Sequence, residues 1–314
     1  MPHTLDYPEA ITCIDTEQLR PGLACCYLVR GGGEYAFIEC GTGLSVPGLL
    51  RVFDARAIRR EHVRYVMPTH VHLDHAGGAG LLMRALPEAR LVVHPRAARH
   101  LIDPAKLIDG AAAVYGAQNI ARLYGEILPV PEARMVIAEE GFKLSLGGRE
   151  LWFMDAPGHA RHHYAIWDAQ SSAWFSGDVF GISYREFDGP LGPHLLPTTT
   201  PVQFEPEVWL QTLDRIMARQ PLHAFLTHYG RVSNLQSLVE ILRRGITDYA
   251  DIARRQAASP ARHAAIKSAL ADWSLRELAQ LRCALSEQRS RELLENDMEL
   301  NAQGLEVWLD RAGK

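Results

Sequence analysis

The sequence lacks a basic excess and long apolar runs. Its 33 Lys and Arg residues are outnumbered by 37 Asp and Glu residues, which gives a formal net charge of −4. Proteins whose main partner is a nucleic acid usually carry a basic patch, so this balance argues against nucleic-acid binding. No stretch approaches the ~18 consecutive apolar residues of a transmembrane helix. We therefore expect a protein that binds neither nucleic acid nor a membrane.

Cysteine is scarce and has no recognisable spacing. The five cysteines are an odd number without a CxxC pair. This argues against a disulfide framework and against a zinc ribbon, and it favours free thiols in a reducing compartment. Residues 1–14 carry charge and proline without an apolar run, so no signal peptide is visible and a cytoplasmic location is expected.

The 314 residues are 47% hydrophobic and 22% charged, which is typical of an ordinary globular protein with one large domain and an appendage. Strand and helix signals alternate up to residue 232, and from Ser233 onward the pattern is almost wholly helical, with a break at Pro260. We predict a first domain at residues 1–232 and a helical C-terminal extension at residues 233–314 that packs on it. An apolar stripe in the extension predicts core contact or a homodimer face; it consists of Leu275, Leu278, Leu281 and Leu285.

Local patterns place several elements. Glycines at 31–33 and at 147–148 separate strand-like runs and predict hairpins. Residues 205–219 have the apolar period of an amphipathic helix. Residues 105–127 read as one or two helices interrupted by glycines.

The most informative segment is His70-Val71-His72-Leu73-Asp74-His75, which packs three imidazoles and a carboxylate into six residues. Neutral imidazole and carboxylate are ordinary ligands for zinc, and imidazole also suits iron and nickel. The segment follows a predicted strand at residues 63–67 and precedes a predicted helix. The ligands therefore lie on a loop at the carboxyl end of a sheet, where α/β folds place their chemistry.

Three further ligand-type residues occur in similar contexts. His159 ends a Pro-Gly-His turn after a strand, Asp178 follows Ser176-Gly177, and His228 follows an apolar strand and precedes Tyr229-Gly230. Each alone is equally well explained as a turn or capping residue. All three together with the histidine-rich loop predict a metal centre.

The order of these motifs resembles the metallo-β-lactamase superfamily, in its glyoxalase II-like branch, over residues 20–232. The resemblance implies an α+β fold, a four-layer αββα sandwich with two metal ions between the sheets. It implies that His70, His72 and His159 hold one ion, that Asp74, His75 and His228 hold the other, and that Asp178 bridges both. The ions are expected to be divalent, with Zn²⁺ first and iron or manganese as alternatives.

The resemblance also assigns residues around the metals. Glu39 stands where the family usually has Asp and is expected to orient a ligand. His163 matches another family histidine, for which a structural or ligand-orienting role and a catalytic role are both open. Two divalent ions can share a water and supply a bridging hydroxide near neutral pH, which attacks a carbonyl carbon. Asp74 is the candidate residue to pass a proton to the leaving group, with a metal-bound water as the alternative. Tyr184, His194 and Tyr229 are candidates for lining the substrate pocket, and a plain surface connection is the favoured alternative for the loop of His194.

The favoured interpretation is a metallo-hydrolase that cleaves a small ester, thioester or lactone. The alternative is an oxidoreductase similar to the persulfide dioxygenases, which use one iron. A nuclease is disfavoured by the acidic balance, and a diiron flavoprotein by His72, which stands where that branch has Glu. Lactonases of this family often carry Tyr three residues after the bridging Asp, where this chain has Gly181.

Overall fold

The computed structural model describes residues 2–199 and 202–312. These residues fold into two compact units. The first unit comprises Met1–Asp155, His162–Gly177 and Thr227–Gly230, and the second comprises Ala156–Arg161, Asp178–Leu226 and Arg231–Lys314. The predicted boundary between residues 232 and 233 stays a prediction.

The first unit contains a seven-stranded sheet in which the strands follow one another in chain order. Its first four strands are antiparallel and joined by turns or a loop, whereas the last four are parallel and joined by helical crossovers. The strands are β1 (Thr4–Tyr7), β2 (Ile11–Asp15), β3 (Cys25–Gly31), β4 (Glu34–Ile38), β5 (Val63–Met67), β6 (Arg90–Val93) and β7 (Met135–Ile137). The helices of this region are α1 (Val46–Ala55), α2 (Leu73–Ala76), α3 (Ala79–Ala85), α4 (Ala98–Ile102), α5 (Ala105–Tyr115) and α6 (Ile120–Tyr124).

One face of the seven-stranded sheet forms an apolar core with the crossover helices. Val66 and Leu91 of the parallel strands are fully buried together with Phe53 of α1 and Leu82 of α3. These residues recur at strand and helix periods, which is why the crossover helices cover the sheet. The parallel strands are thereby fixed, and their carboxyl ends converge at one edge of the sheet.

A second, antiparallel sheet includes four strands of the first unit. They are β8 (Lys143–Leu146), β9 (Arg149–Asp155), β10 (Tyr164–Asp168) and β11 (Ala173–Gly177). The predicted hairpin at Gly147-Gly148 is confirmed, since both glycines have positive φ, +52° and +91°. Within the unit the sheets face each other, because Tyr27 of β3 lies edge-on to Phe175 of β11 with ring centroids 5.3 Å apart.

The second unit is mainly helical. It contains α7 (Pro206–Met217), strand β12 (His223–Leu226), and three long helices, α8 (Leu235–Gln256), α9 (Arg262–Gln280) and α10 (Glu287–Ala312); strand β13 spans Gly230–Ser233. The predicted amphipathic helix at 205–219 and the break near Pro260 are both confirmed. None of the helices among the described residues is long and apolar enough to cross a membrane.

Packing within the second unit accounts for part of the apolar stripe of the C-terminal extension. Leu278 and Leu281 are buried, whereas Leu275 and Leu285 are half-buried. The two buried residues make the core contact that their spacing predicts. A homodimer face on the remaining pair stays a prediction.

A buried ion pair links the two sheets of the first unit. Arg149 at the start of β9 donates from Nε to Asp168 Oδ1 at 2.9 Å, and the two side chains are 1% and 0% exposed. The Arg149 Nη1 atom donates to the carbonyl oxygens of Glu9 and Arg30 at 2.7 and 3.0 Å. Because these carbonyls belong to the seven-stranded sheet and its turns, one guanidinium ties that sheet to β9 and β10.

Removal of this guanidinium is expected to destabilise the protein strongly. Arg149→Ala would leave the buried Asp168 carboxylate without its cation, a loss of about 3–5 kcal/mol in the free energy of unfolding. Urea denaturation followed by circular dichroism measures it. The matched control is Lys143→Ala, which breaks an exposed pair with Glu150 at 3.5 Å and should cost less than about 1 kcal/mol. Equal losses for the two variants would contradict a structural role for the buried pair.

Candidate metal centre

The histidine-rich segment lies where the sequence predicts it. Strand β5 ends at Met67, Pro68 follows, and the loop that starts at Thr69 leads into α2 at Leu73. Pro68 has no amide hydrogen, so it cannot extend the strand ladder. The loop therefore leaves the sheet at once, and its four ligand-type side chains gather at the carboxyl end of the parallel strands. We call residues 69–75 the metal loop.

Three side chains of the first unit form a compact ligand group: Asp74, His75 and His228 each offer one ligand atom, and these atoms lie within 4.8 Å of one another. The Asp74 Oδ2 atom is 3.7 Å from His75 Nε2 and 3.3 Å from His228 Nε2. The other ring nitrogens face acceptors: His75 Nδ1 lies 3.0 Å from Glu39 Oε1, and His228 Nδ1 lies 2.8 Å from the Leu23 carbonyl oxygen. An Nδ1–H donated to these acceptors leaves the Nε2 lone pair as a metal ligand.

His70 and His72 form a second set. His70 Nε2 and His72 Nδ1 are 2.9 Å apart, and the rings are nearly perpendicular. His70 Nδ1 lies 3.1 Å from the Thr69 hydroxyl, which fixes the orientation of its ring. Two imidazole nitrogens facing each other with oriented rings are donors that a zinc or iron ion accepts. The donor set of the first unit therefore fits a divalent metal.

His159 and Asp178 meet within the second unit. His159 Nε2 is 3.6 Å from Asp178 Oδ2, and His159 Nδ1 lies 2.8 Å from the carbonyl oxygen of Thr198. The predicted Pro-Gly turn positions this histidine, because Gly158 has a φ of +131° and a Cβ there would lie 2.4 Å from Trp209. His159 thus has the same arrangement as His228, with Nδ1 facing a backbone carbonyl and Nε2 facing a carboxylate.

Glu39 is the centre of a buried hydrogen-bond network. The residue is 1% exposed. Its carboxylate accepts the Thr69 amide at 3.0 Å and the Thr69 hydroxyl at 2.6 Å, and the Thr227 hydroxyl at 2.9 Å. With the His75 ring at 3.0 Å it faces four donors. The expected contact of Glu39 with a candidate ligand is therefore present in the structure.

His163 packs against the metal loop. It is fully buried, and its ring stacks on His70 with centroids 4.8 Å apart and an interplanar angle of 26°. Gly177 at the end of β11 makes room for this stack, because a Cβ there would lie 2.4 Å from Thr69 Oγ1 and 2.5 Å from His163 Nε2. His163 thus supports the orientation of His70 from the opposite sheet of the first unit.

Sequence reasoning gave no role to Thr69, Thr227 and His162. Both threonines donate to Glu39, and His162 is buried beside the metal loop, 5.6 Å from the His72 ring in an edge-to-face arrangement. The signal for Thr69 was its place directly before His70, and for His162 its place directly before His163. No local signal identifies Thr227, whose acceptor is 188 residues away.

Two of the three predicted pocket residues lie in the interior of the second unit. Tyr184 is buried, and its hydroxyl donates to Asp297 Oδ1 at 2.9 Å. His194 is fully buried beside Phe187 and Trp273. Both side chains pack in the interior of that unit, so burial contradicts a plain surface connection at His194 and lends a pocket role for either residue no support. Tyr229 is half-buried next to His228, and its role in a pocket stays a prediction.

The comparisons with known proteins identify the family. Residues 19–229 match the family model of the metallo-β-lactamase superfamily, which is more than half of the chain. The chain therefore belongs to the metallo-β-lactamase superfamily. This membership, together with two sheets, helices and the helical C-terminal region, confirms the predicted α+β fold class.

Two curated relatives are informative. The metallo-β-lactamase fold-containing protein ST1585 of Sulfurisphaera tokodaii is 27% identical over 217 residues, which is 68% of this chain and 75% of the relative. The acyl-coenzyme A thioesterase MBLAC2 of Gallus gallus is 30% identical over 169 residues, which is 49% of this chain and 56% of the relative. The chain thus spans little more than half the length of that thioesterase.

Solved structures of low sequence identity share the fold. The archaeal superfamily protein ST1585 has a TM-score of 0.61 at 21% identity, over 90% of this chain and 93% of its own. The family protein TTHA1429 of Thermus thermophilus has a TM-score of 0.64 at 18% identity, over 99% of this chain and 92% of its own.

Replacement of Glu39 by Gln is expected to weaken metal binding. All the partners of this carboxylate are donors, and the amide of Gln would direct its own N–H groups at some of them. Because His75 then loses its fixed orientation, we expect metal affinity to fall about 10- to 100-fold. Competition with a chromogenic chelator measures the affinity, and the exposed Glu88→Gln is the control. Unchanged affinity in Glu39→Gln would refute the orienting role.

Burial of His194 is expected to make folding stability depend on pH. Neither ring nitrogen has a hydrogen-bond partner among the described residues, and burial lowers the pKa of His194 from 6.5 to about 3. As the pH falls from about 6.5 to about 3, His194 is therefore protonated in the unfolded chain but still neutral in the folded protein. Over that window this residue should remove about 1.4 kcal/mol of stability per pH unit.

The measurement is the urea midpoint of the wild type and of His194→Leu at several pH values between 7 and 4. The variant should lose part of the acid dependence that the wild type shows. Identical pH profiles for the two proteins would show that His194 does not titrate in this way.

Proposed function

We propose that this protein is a metal-dependent hydrolase that cleaves a small thioester, ester or lactone. The observation that carries the proposal is the ligand group of Asp74, His75 and His228, in which both imidazoles are oriented through Nδ1 so that Nε2 and the carboxylate face one another. Such an arrangement is the donor set of a hydrolytic metal site in a member of this superfamily.

The assignment of individual ligands is also a proposal. We assign His70, His72 and His159 to one divalent ion, Asp74, His75 and His228 to a second, and Asp178 to a bridging position. The order of the family motifs supports this assignment, and the Nδ1 contacts described above support it for His75, His159 and His228. Zn²⁺ is the first candidate, with iron and manganese as alternatives.

Metal ions in such a site act as Lewis acids toward a carbonyl oxygen and lower the pKa of water toward neutrality. The protein residues supply orientation and proton transfer. We assign the proton for the leaving group to Asp74, because its side chain is 26% exposed whereas that of Asp178 is 7% exposed. A partly exposed carboxylate can exchange protons with solvent and with a substrate. Glu39 and His163 keep the imidazoles in place.

Thioesters are the first substrate class to test. Relatives named as acyl-coenzyme A thioesterases in chicken and human are 30% and 28% identical over about half of this chain. A thioester of coenzyme A combines a carbonyl for the metal centre with an anionic carrier. Esters and lactones contain the same type of carbonyl carbon and belong in the same panel.

The test is a hydrolysis panel with protein reconstituted with zinc, iron or manganese, combined with elemental analysis. We expect turnover of at least one thioester, ester or lactone, and loss of that turnover with a chelator. Asp178→Ala should lower the metal content and abolish turnover, whereas Asp54→Ala, an exposed residue of α1, should change neither.

Two results would contradict the proposal. Full metal content and turnover in Asp178→Ala would refute the bridging role. Oxygen uptake with glutathione persulfide, with one iron per chain and no hydrolysis, would replace the hydrolase by a persulfide dioxygenase.

A further inference from the structure

A cavity of about 370 Å³ lies in the first unit. Its wall is built from Pro2 and three segments: residues 16–19 after β2, residues 42–51 around the start of α1, and residues 122–123 of α6. We call this space the arginine cavity. Its lining includes Leu19, Leu44, Arg51, Arg122 and Leu123.

The arginine cavity combines cationic and apolar groups. Arg51 and Arg122 reach it from different helices, and neither forms an ion pair with an acidic residue within the described ranges 2–199 and 202–312. Glu17 is the one acidic residue among the lining residues. Leu19 and Leu44 are 60% and 56% exposed, so they offer apolar surface beside the guanidinium groups. A ligand suited to such a wall carries anionic groups on a partly apolar framework.

The segments that line the arginine cavity are connected to the metal loop through residues next to the lining ones. The Cys40 amide donates to the His75 carbonyl oxygen at 2.8 Å, and the Gly43 amide donates to the Tyr124 carbonyl oxygen at 2.8 Å. Ile120 and Tyr124 of α6 form an apolar cluster with Leu73 of the metal loop, and Leu123, which lines the cavity, packs against that cluster. The cavity and the ligand group therefore share supporting elements.

We propose that the arginine cavity binds the phosphate-bearing part of a thioester whose acyl carbonyl lies at the metal centre. The inference rests on the proposed function and specifies its substrate class. Arginine presents a planar fork of donors that matches phosphate oxygens in a bidentate manner, and such charge-assisted hydrogen bonds are stronger than neutral ones. The exposed leucines would contact the apolar part of the carrier. An acyl group on a short neutral carrier would leave the two arginines unused.

The first experiment measures binding without turnover. Adenosine 3′,5′-bisphosphate carries the 3′-phosphate and the first 5′-phosphate of a coenzyme A carrier but has no thiol that could bind metal. Calorimetry with the metal-loaded protein should detect binding to the wild type. The affinity should fall about 10- to 100-fold in the double variant Arg51→Ala/Arg122→Ala, corresponding to the loss of one or two charge-assisted hydrogen bonds.

The control for this measurement is Arg84→Ala. Arg84 is an exposed arginine of α3 that does not line the cavity, so its removal tests the effect of net charge alone. Circular dichroism and the thermal midpoint of each variant show whether the fold is intact.

The second experiment compares two thioesters with the same acyl group. One is the coenzyme A thioester, and the other is the N-acetylcysteamine thioester, which lacks phosphate. The double variant should raise KM for the coenzyme A thioester about 10- to 100-fold with little change in kcat, and should leave the N-acetylcysteamine thioester unaffected.

The outcomes separate this inference from the proposed function. Wild-type affinity for the bisphosphate in the double variant, or equal losses on both thioesters, would overturn the assignment of the cavity. Arginine-dependent bisphosphate binding together with hydrolysis of neither thioester would support the anion site and refute the thioesterase.

Discussion

The candidate metal centre depends on one buried carboxylate that faces four donors. Glu39 joins three segments of the first unit: the end of β4, the metal loop through Thr69 and His75, and the residue before His228 through Thr227. A buried charge is tolerated only where its hydrogen bonds are complete, so these segments must assemble together. The need to complete the hydrogen bonds of Glu39 therefore fixes the position of His75 directly and that of His228 through its neighbour Thr227.

The structure explains why the longer Glu39 can stand where the family usually has Asp. Its backbone has a φ of +66°, in the left-handed region that non-glycine residues adopt infrequently. The extra methylene lets the carboxylate meet both the amide and the hydroxyl of Thr69 and still reach His75. The conformational cost is offset by hydrogen bonds that form only at this place in the fold.

The parts of the fold that the sequence predicts are those with local signals. The metal loop is recognisable because its ligands lie within six residues after a short strand, and the hairpin at Gly147-Gly148 because few other residues adopt those angles. The helix at 205–219 follows from its apolar period, and the break near Pro260 from the missing amide hydrogen of proline.

The parts that sequence reasoning missed depend on partners far apart in the chain. The Thr227 bond to Glu39 spans 188 residues, and the Arg149 contact with the Glu9 carbonyl spans 140. The sequence around Tyr184 and His194 predicts positions at a substrate pocket, but both side chains are buried in the second unit. Burial of a polar side chain is set by tertiary packing, which no short window of sequence contains.

Helix α6 has only five residues, Ile120 to Tyr124, yet it contributes to two environments. Ile120 and Tyr124 pack with Leu73, Arg122 lines the arginine cavity, and Leu123 contacts both. Each residue of an α-helix advances by about 100° around the axis. Insertion or deletion of one residue in α6 would therefore rotate both faces out of register at once, while substitution of Ile120, Tyr124 or Arg122 alters one environment alone. We therefore expect the ligand preference of the arginine cavity to change through exchange of side chains on α6, while the length of this helix stays constant.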